Sequence, residues 1–131
     1  MENHLPYLER CLALAREAAQ AGESAVGCVI VKDGLIIGEG TEQSRRLKDV
    51  TRHAEVVAVL DAVHRYGSCE GAVLYSNMEP CMLCAYVIRH YKIAAVVYSN
   101  YCGELGGTEL LKREGLKSWG KEPEVVYLSL P

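Results

Sequence analysis

Two short segments hold side chains whose types and spacing suit metal chemistry: His53-Ala54-Glu55 and Pro80-Cys81-Met82-Leu83-Cys84. One imidazole and two thiolates are soft-to-borderline ligands that suit zinc, and three protein ligands leave the fourth tetrahedral position open for water. That is the ligand count of a catalytic zinc. Cys81 and Cys84 share one face of a first helical turn, and helix starts at both segments aim positive dipole ends at the thiolates. Glu55 stands just beyond His53, within reach of a metal-bound water, where it can take a proton and later return it to a leaving group. The structural alternative is a closed zinc site that only stabilises the fold. No fourth protein ligand stands at matching spacing to complete one.

The elements that must position these residues are read from periodicity. Apolar residues from Leu5 to about Ala21 recur at helical spacing, and Gly22 supplies a stop. Ala25–Val31 and Leu35–Gly38 flank Asp33-Gly34, a tight-turn dipeptide, and predict an antiparallel hairpin. Glu42–Val50 is polar and reads as a loop. From Thr51 to Tyr66 the spacing predicts a helix, with Ala54, Val57 and Ala58 on one face and Val56, Val59, Leu60 and Val63 on the other, so it should be buried on two sides. Gly71–Ser76 fits a buried strand. Pro80 opens a helix to about His90, because a first-turn proline gives up no needed N–H. Ile93–Tyr98 predicts a strand, Thr108–Glu114 a short helix and Glu124–Leu130 a last strand. Strands alternating with helices imply crossovers and a sheet covered on both faces.

The chain has 131 residues, half of them hydrophobic and 24% charged, which excludes a mainly disordered or fibrous chain. This size, without a repeat or a Pro/Ser-rich linker, predicts one domain over residues 1–131. No apolar stretch approaches the roughly 20 residues of a membrane span. Met1-Glu2-Asn3-His4 lacks the basic start and cleavage site of a secretory signal, so a cytoplasmic location is expected. Fourteen Lys and Arg against 17 Asp and Glu, a net charge of −3, give no general pull toward a phosphate backbone. Six cysteines would make three disulfides in a secreted protein, but in this setting metal ligation or catalysis is the better reading. Only Cys81 and Cys84 have ligand spacing. Cys11, Cys28, Cys69 and Cys102 read as small buried hydrophobes, with Cys28 able to touch a pocket.

The H-A-E and P-C-x-x-C pair resembles the signature of the zinc-dependent cytidine-deaminase-like superfamily. Ala25-Val26-Gly27-Cys28-Val29 and Glu79-Pro80-Cys81 further resemble the branch of guanine deaminases and tRNA adenosine deaminases. The resemblance implies a three-layer α/β/α fold with a mixed five-stranded sheet. It implies hydrolytic deamination at a cyclic amidine carbon, with zinc held by His53, Cys81 and Cys84 activating water, Glu55 shuttling protons and ammonia leaving. It also implies substrate contacts from the Ala54 backbone N–H and from backbone near Val26 and Gly27, with Glu79 and Pro80 at the pocket edge. Relatives of this size pair through the metal-bearing helices, which implies a homodimer.

One departure bears on the substrate. The branch carries an asparagine shortly after the second strand, and here Glu42 follows Gly40-Thr41. An ionised carboxylate only accepts hydrogen bonds, whereas an amide donates and accepts, so the two cannot read the same edge. Glu42 as a substrate contact favours a small free base with N–H donors, of the isocytosine, cytosine, guanine or aminotriazine type; the alternative is a solvated loop carboxylate. The alternative functions are a tRNA adenosine deaminase and, behind it, a non-catalytic zinc-stabilised domain. Against tRNA stand the acidic balance, the missing asparagine and the lack of a C-terminal basic-aromatic helix. Arg45, Arg46 and Lys48 form the notable basic cluster, either a solvated loop or a phosphate contact. Glu79 reads as a brace for the loop before Pro80 or as a pocket residue, and Trp119, Tyr127 and Leu128–Pro131 as ordinary packing or a lid.

Overall fold

The computed structural model of the chain describes residues 3–130. Met1 and Glu2, part of the stretch read for a leader, and Pro131, the end of the segment read as packing or a lid, lie outside them. The elements run α1 (Leu5–Gln20), β1 (Gly27–Lys32), β2 (Leu35–Thr41), α2 (Ser44–Leu47), α3 (Ala54–Tyr66), β3 (Val73–Ser76), α4 (Met82–His90), β4 (Ala95–Tyr98), α5 (Thr108–Lys112) and β5 (Glu124–Tyr127), with 3-10 turns at Gly103–Leu105 and Lys117–Trp119. Among the described residues no helix is long and apolar enough to cross a membrane.

The five strands form one mixed sheet in the order β2-β1-β3-β4-β5. β1 runs antiparallel to both β2 and β3, and β3, β4 and β5 are parallel. The hairpin turns on Asp33 and Gly34 at φ 53° and 76°, the positive values such a turn requires. Side chains alternate across the sheet. Cys28, Ile30, Leu74 and Val96 pack with Ala54, Ala58, Ala62, Ala85 and Ile88, from α3 and α4, on one face. Val29, Val31, Tyr75 and Val97 pack with Leu8, Cys11 and Leu14 of α1 on the other. Each branched aliphatic side chain so buried contributes about 1.5–3 kcal/mol. The result is the three-layer α/β/α arrangement with helices on both sheet faces.

Two sequence details set how closely α3 lies on the sheet. A Cβ at Gly40 would overlap the Ala54 carbonyl and the Ala58 nitrogen, and one at Gly38 the Ala58 carbonyl and Ala62. The helix presents alanines to the glycines, so backbone rests nearly on backbone and Ala54 is carried to the end of β2.

Several expected boundaries differ. Ser44–Leu47, read as loop, is one helical turn, with the Glu23 carboxylate accepting the N–H groups of Arg45 and Arg46 at 2.9 and 2.7 Å. The helix expected from Thr51 starts at Ala54, because Asp49 holds both the N–H and the hydroxyl of Thr51 and His53 is extended at φ −69°, ψ 150°. The strand expected over Glu124–Leu130 ends at Tyr127. Leu130 then packs into the α1 layer.

Candidate metal centre and its cavity

His53 and Cys81 are the residues immediately before α3 and α4, so both helix N-termini face one point at the edge of the sheet. The Cys81 and Cys84 sulfurs lie 3.4 and 3.5 Å from His53 Nδ1 and 3.6 Å from each other. Tetrahedral zinc, with metal–sulfur near 2.3 Å and metal–nitrogen near 2.0 Å, sets its ligand atoms about 3.5–3.8 Å apart. The three side chains therefore fit zinc without rearrangement. Among the described residues no fourth His, Cys, Asp or Glu joins them. A site with three protein ligands has an open position, so the closed structural site is disfavoured.

The surroundings of the cluster favour the Cys81 thiolate. The hydrogen bond from Cys84 holds the Cys81 thiol down at about 5, with backbone N–H groups of the first turn and His53 pulling the same way. That same hydrogen bond, and then burial, raises Cys84. Helix N-termini favour such negative charge. Glu55, in the first turn of α3, is 4% exposed. Burial pushes its carboxyl up to about 8, while a hydrogen bond with Ser76 opposes the shift. A group poised there can hold a proton or release it near neutral pH.

A cavity of about 230 Å³ opens on the cluster, lined by Ser24, Val26, Glu42, His53, Glu55, Met78, Glu79, Cys81, Cys102 and Leu105. That is smaller than the roughly 300–1,000 Å³ of sites for drug-sized ligands, and suits a single small heterocycle. Larger depressions of about 590, 600 and 630 Å³ lie away from the metal ligands.

The structure places the sequence-predicted residues unevenly. Val26, Glu42 and Glu79 line the cavity with Glu55. Glu42, 9% exposed, accepts the Ala54 N–H at 3.1 Å through one oxygen and the Ser44 hydroxyl at 2.6 Å through the other. It thus caps α3, a task His53 does not perform with its own side chain. The Ala54 N–H, expected to meet substrate, is already occupied by this bond. Gly27, beside Val26, is not among the lining residues. Its N–H donates to Asn77 Oδ1 at 2.9 Å, and a Cβ there would overlap the Cys11 carbonyl of α1, so its smallness serves helix packing. Pro80 is fully buried outside the lining, and its carbonyl accepts the Gly107 N–H at 2.7 Å.

Other residues escaped the sequence reading. Cys102, taken for a buried hydrophobe, is half-buried and lines the cavity, whereas Cys28 lies in the core beneath α3. Ser24, Met78 and Leu105 complete the walls. Asn77 bonds Gly27 N–H and the Ala25 carbonyl, which fixes the bend carrying Val26. Its pairing bridges residues some fifty positions apart, so no local pattern marks it. Trp119, read as ordinary packing or a lid, packs edge-on against Tyr86 and under Arg89, and Tyr127 stacks on Tyr101. Arg45, Arg46 and Lys48 are exposed on and beside α2.

Comparison with known proteins agrees with this geometry. The family model described as the cytidine and deoxycytidylate deaminase zinc-binding region matches residues 1–100. The chain is 37% identical over 103 residues to the tRNA-specific adenosine deaminase of Aquifex aeolicus, covering 77% of this chain and 68% of that protein. It is 39% identical over 100 residues to the guanine deaminase of Bacillus subtilis, covering 74% and 64%. Across the first three curated relatives it spans from 51% to 68% of their length. A solved structure from a study of A-to-I editing by tRNA:A34 deaminases at the wobble position superposes with a TM-score of 0.82 at 30% identity, covering 95% of this chain and 98% of that one.

Proposed function

Because this chain belongs to the cytidine and deoxycytidylate deaminase zinc-binding family, we propose that it is a zinc-dependent hydrolase that removes ammonia from a small amino-substituted nucleobase. In the reaction water adds its oxygen to the amidine carbon, the carbon–nitrogen bond breaks and ammonia leaves. Bound zinc supplies the Lewis acidity that makes water reactive near neutral pH. The chain supplies the rest. His53 Nδ1 and the Cys81 and Cys84 sulfurs would hold the ion. The Glu55 carboxyl takes the proton that water gives up and delivers it to the departing amino group; its burial keeps that proton from exchanging with solvent.

The observation that carries the choice of substrate is Glu42. Its two hydrogen bonds use two of the about four acceptor sites of a carboxylate, which leaves acceptor capacity in a residue that lines the cavity. Such a group reads N–H donors. Free guanine, isocytosine and cytosine offer a ring N–H beside acceptor atoms. Adenine joined to a ribose offers only acceptors apart from its amino group, the group that leaves. The cavity's small volume agrees with a free base.

A second reading, deamination of adenosine in tRNA, is supported by the relatives: the Aquifex protein and the wobble-editing structure are both described by that activity. The exposed Arg45, Arg46 and Lys48 would then meet phosphate. The first reading extends to a homodimer formed through the metal-bearing helices, supported by the exposure of Met82 and Tyr86 on α4; light scattering in solution tests it. The two substrate readings separate in an ammonia-release screen of the zinc-loaded chain on guanine, cytosine, isocytosine, adenine, their nucleosides, aminotriazines and tRNA. Turnover of a free base supports the first, and turnover confined to tRNA replaces it with the second.

A further inference from the structure

We propose that Glu79 is a positioning residue for the outer wall of the cavity, and that Cys102 and Leu105, which it fixes, are the specificity-determining residues for the ring that enters. This rests on the deaminase reading above. Glu79 is 7% exposed and stands two residues before the metal-ligand position Cys81. Its N–H donates to the Asn100 carbonyl at 2.7 Å. One carboxylate oxygen accepts the Cys102 N–H at 3.1 Å and the other the Thr108 hydroxyl at 2.5 Å. A single side chain therefore grips both ends of the loop that carries Cys102 and the 3-10 turn Gly103–Leu105. Gly106 lies flat against the same carboxylate, where any Cβ would overlap it. The root of the loop is laced to the metal-bearing segment by the Gly107 N–H on the Pro80 carbonyl and by a bridge between Cys81 and Gly106.

Each Glu79 oxygen is engaged by the loop and Gly106 lies against the carboxylate, which favours a brace for the wall over a substrate contact. Cys102 and Leu105 line the same cavity as Val26 and Glu42. Leu105 is 60% exposed, so its isobutyl group has a free surface beside the opening on which a flat heterocycle can lie. The wall depends on Glu79 because its side chain secures the Cys102 end of the loop, while the Pro80 carbonyl and the Cys81 bridge hold the Gly106–Gly107 end.

The test uses the full zinc-loaded chain with Glu79→Ala, Glu79→Gln, Thr108→Val and Leu105→Ala. Alkylation of Cys102 by iodoacetamide, located by peptide mass mapping, reports the position of the wall without requiring turnover. Glu79→Ala is expected to speed it about tenfold and Thr108→Val about threefold at unchanged zinc content. Glu79→Gln stays near the wild type, because its amide can accept from Cys102 and donate to the Thr108 oxygen. With the base the wild type turns over, Leu105→Ala raises KM about tenfold and leaves kcat within about twofold. Unchanged labelling in Thr108→Val and in Glu79→Ala, if the latter folds, overturns the positioning role. A Leu105→Ala variant that loses kcat with KM intact overturns the specificity role. No turnover of any base by the wild type removes the deaminase reading and the specificity role with it, while labelling still decides the positioning role.

Discussion

The Glu42 carboxylate accepts the Ala54 backbone N–H at 3.1 Å, joining the end of β2 to the first turn of the helix that carries Glu55. The same carboxylate lines the cavity, so under the proposed function it caps a helix and presents acceptors to the substrate at once. Glu42→Gln keeps the length and one acceptor for Ala54 but brings an N–H₂ donor to the wall. Its kcat/KM for a base with a ring N–H should fall about 10- to 100-fold, the worth of a hydrogen bond to a charged group. Bases with acceptor edges should lose less. An unchanged ranking of substrates in the ammonia-release screen contradicts the role given to Glu42.

Glu55→Gln keeps the shape of the buried side chain and removes its ability to carry a proton. Turnover should fall by about 10²–10⁴-fold with zinc content unchanged. Metal-free protein should melt no lower than the wild type, since burial already disfavours the charged carboxylate at this position. Activity within a few-fold of the wild type contradicts the assignment of Glu55.

The ligand set was legible because His53-Ala54-Glu55 and Cys81-x-x-Cys84 each lie within one helical turn, where spacing alone dictates which side chains converge. The strands and long helices were legible for a similar reason, since their apolar residues repeat with the period of the element. What stayed hidden depends on contacts between distant segments. The turn at Ser44–Leu47 has no apolar face to announce it and exists because Glu23, some twenty positions earlier, caps it. The start of α3 at Ala54 follows from Glu42, twelve positions earlier. Cys102 and Leu105 reach the cavity because Glu79 bonds Cys102 and Thr108 across a gap of 23 and 29 residues. Gly27 fits a pocket motif in the sequence, yet its lack of a side chain is spent on the close approach of α1.

Removing a metal ligand should cost both the ion and stability. His53→Ala, Cys81→Ser and Cys84→Ser are each expected to lower zinc from about one per chain toward zero. The melting temperature of the wild type should fall to that of the variants when a chelator is added. Elemental analysis beside thermal melts checks this, and full zinc occupancy in Cys84→Ser contradicts the ligand set.

Stability at acid pH should report the ion pair between α1 and β2. Arg10 donates two hydrogen bonds to Glu39, at 2.8 and 2.9 Å, and these hold the Glu39 carboxyl below the usual carboxylate range. A carboxylate lowered by folding contributes stability above its unfolded pKa and loses it as pH falls through the lower folded value. Both groups are partly exposed, so the pair is worth only about 0.5 kcal/mol after solvent screening. Urea denaturation of the wild type and Arg10→Gln should differ by that amount at neutral pH. The difference should close below the usual carboxylate pKa; a gap that persists at low pH contradicts the electrostatic origin.

The central claim is that this chain hydrolyses an amino-substituted base on zinc, and the oxygen in the product tests it most directly. The zinc-loaded chain should be assayed in ¹⁸O-enriched water, with the base that the screen identifies. The account predicts one ¹⁸O in the product for each ammonia released, with the reaction abolished by chelation and restored by zinc. Product that carries no label, or ammonia release that survives complete removal of zinc, would contradict it.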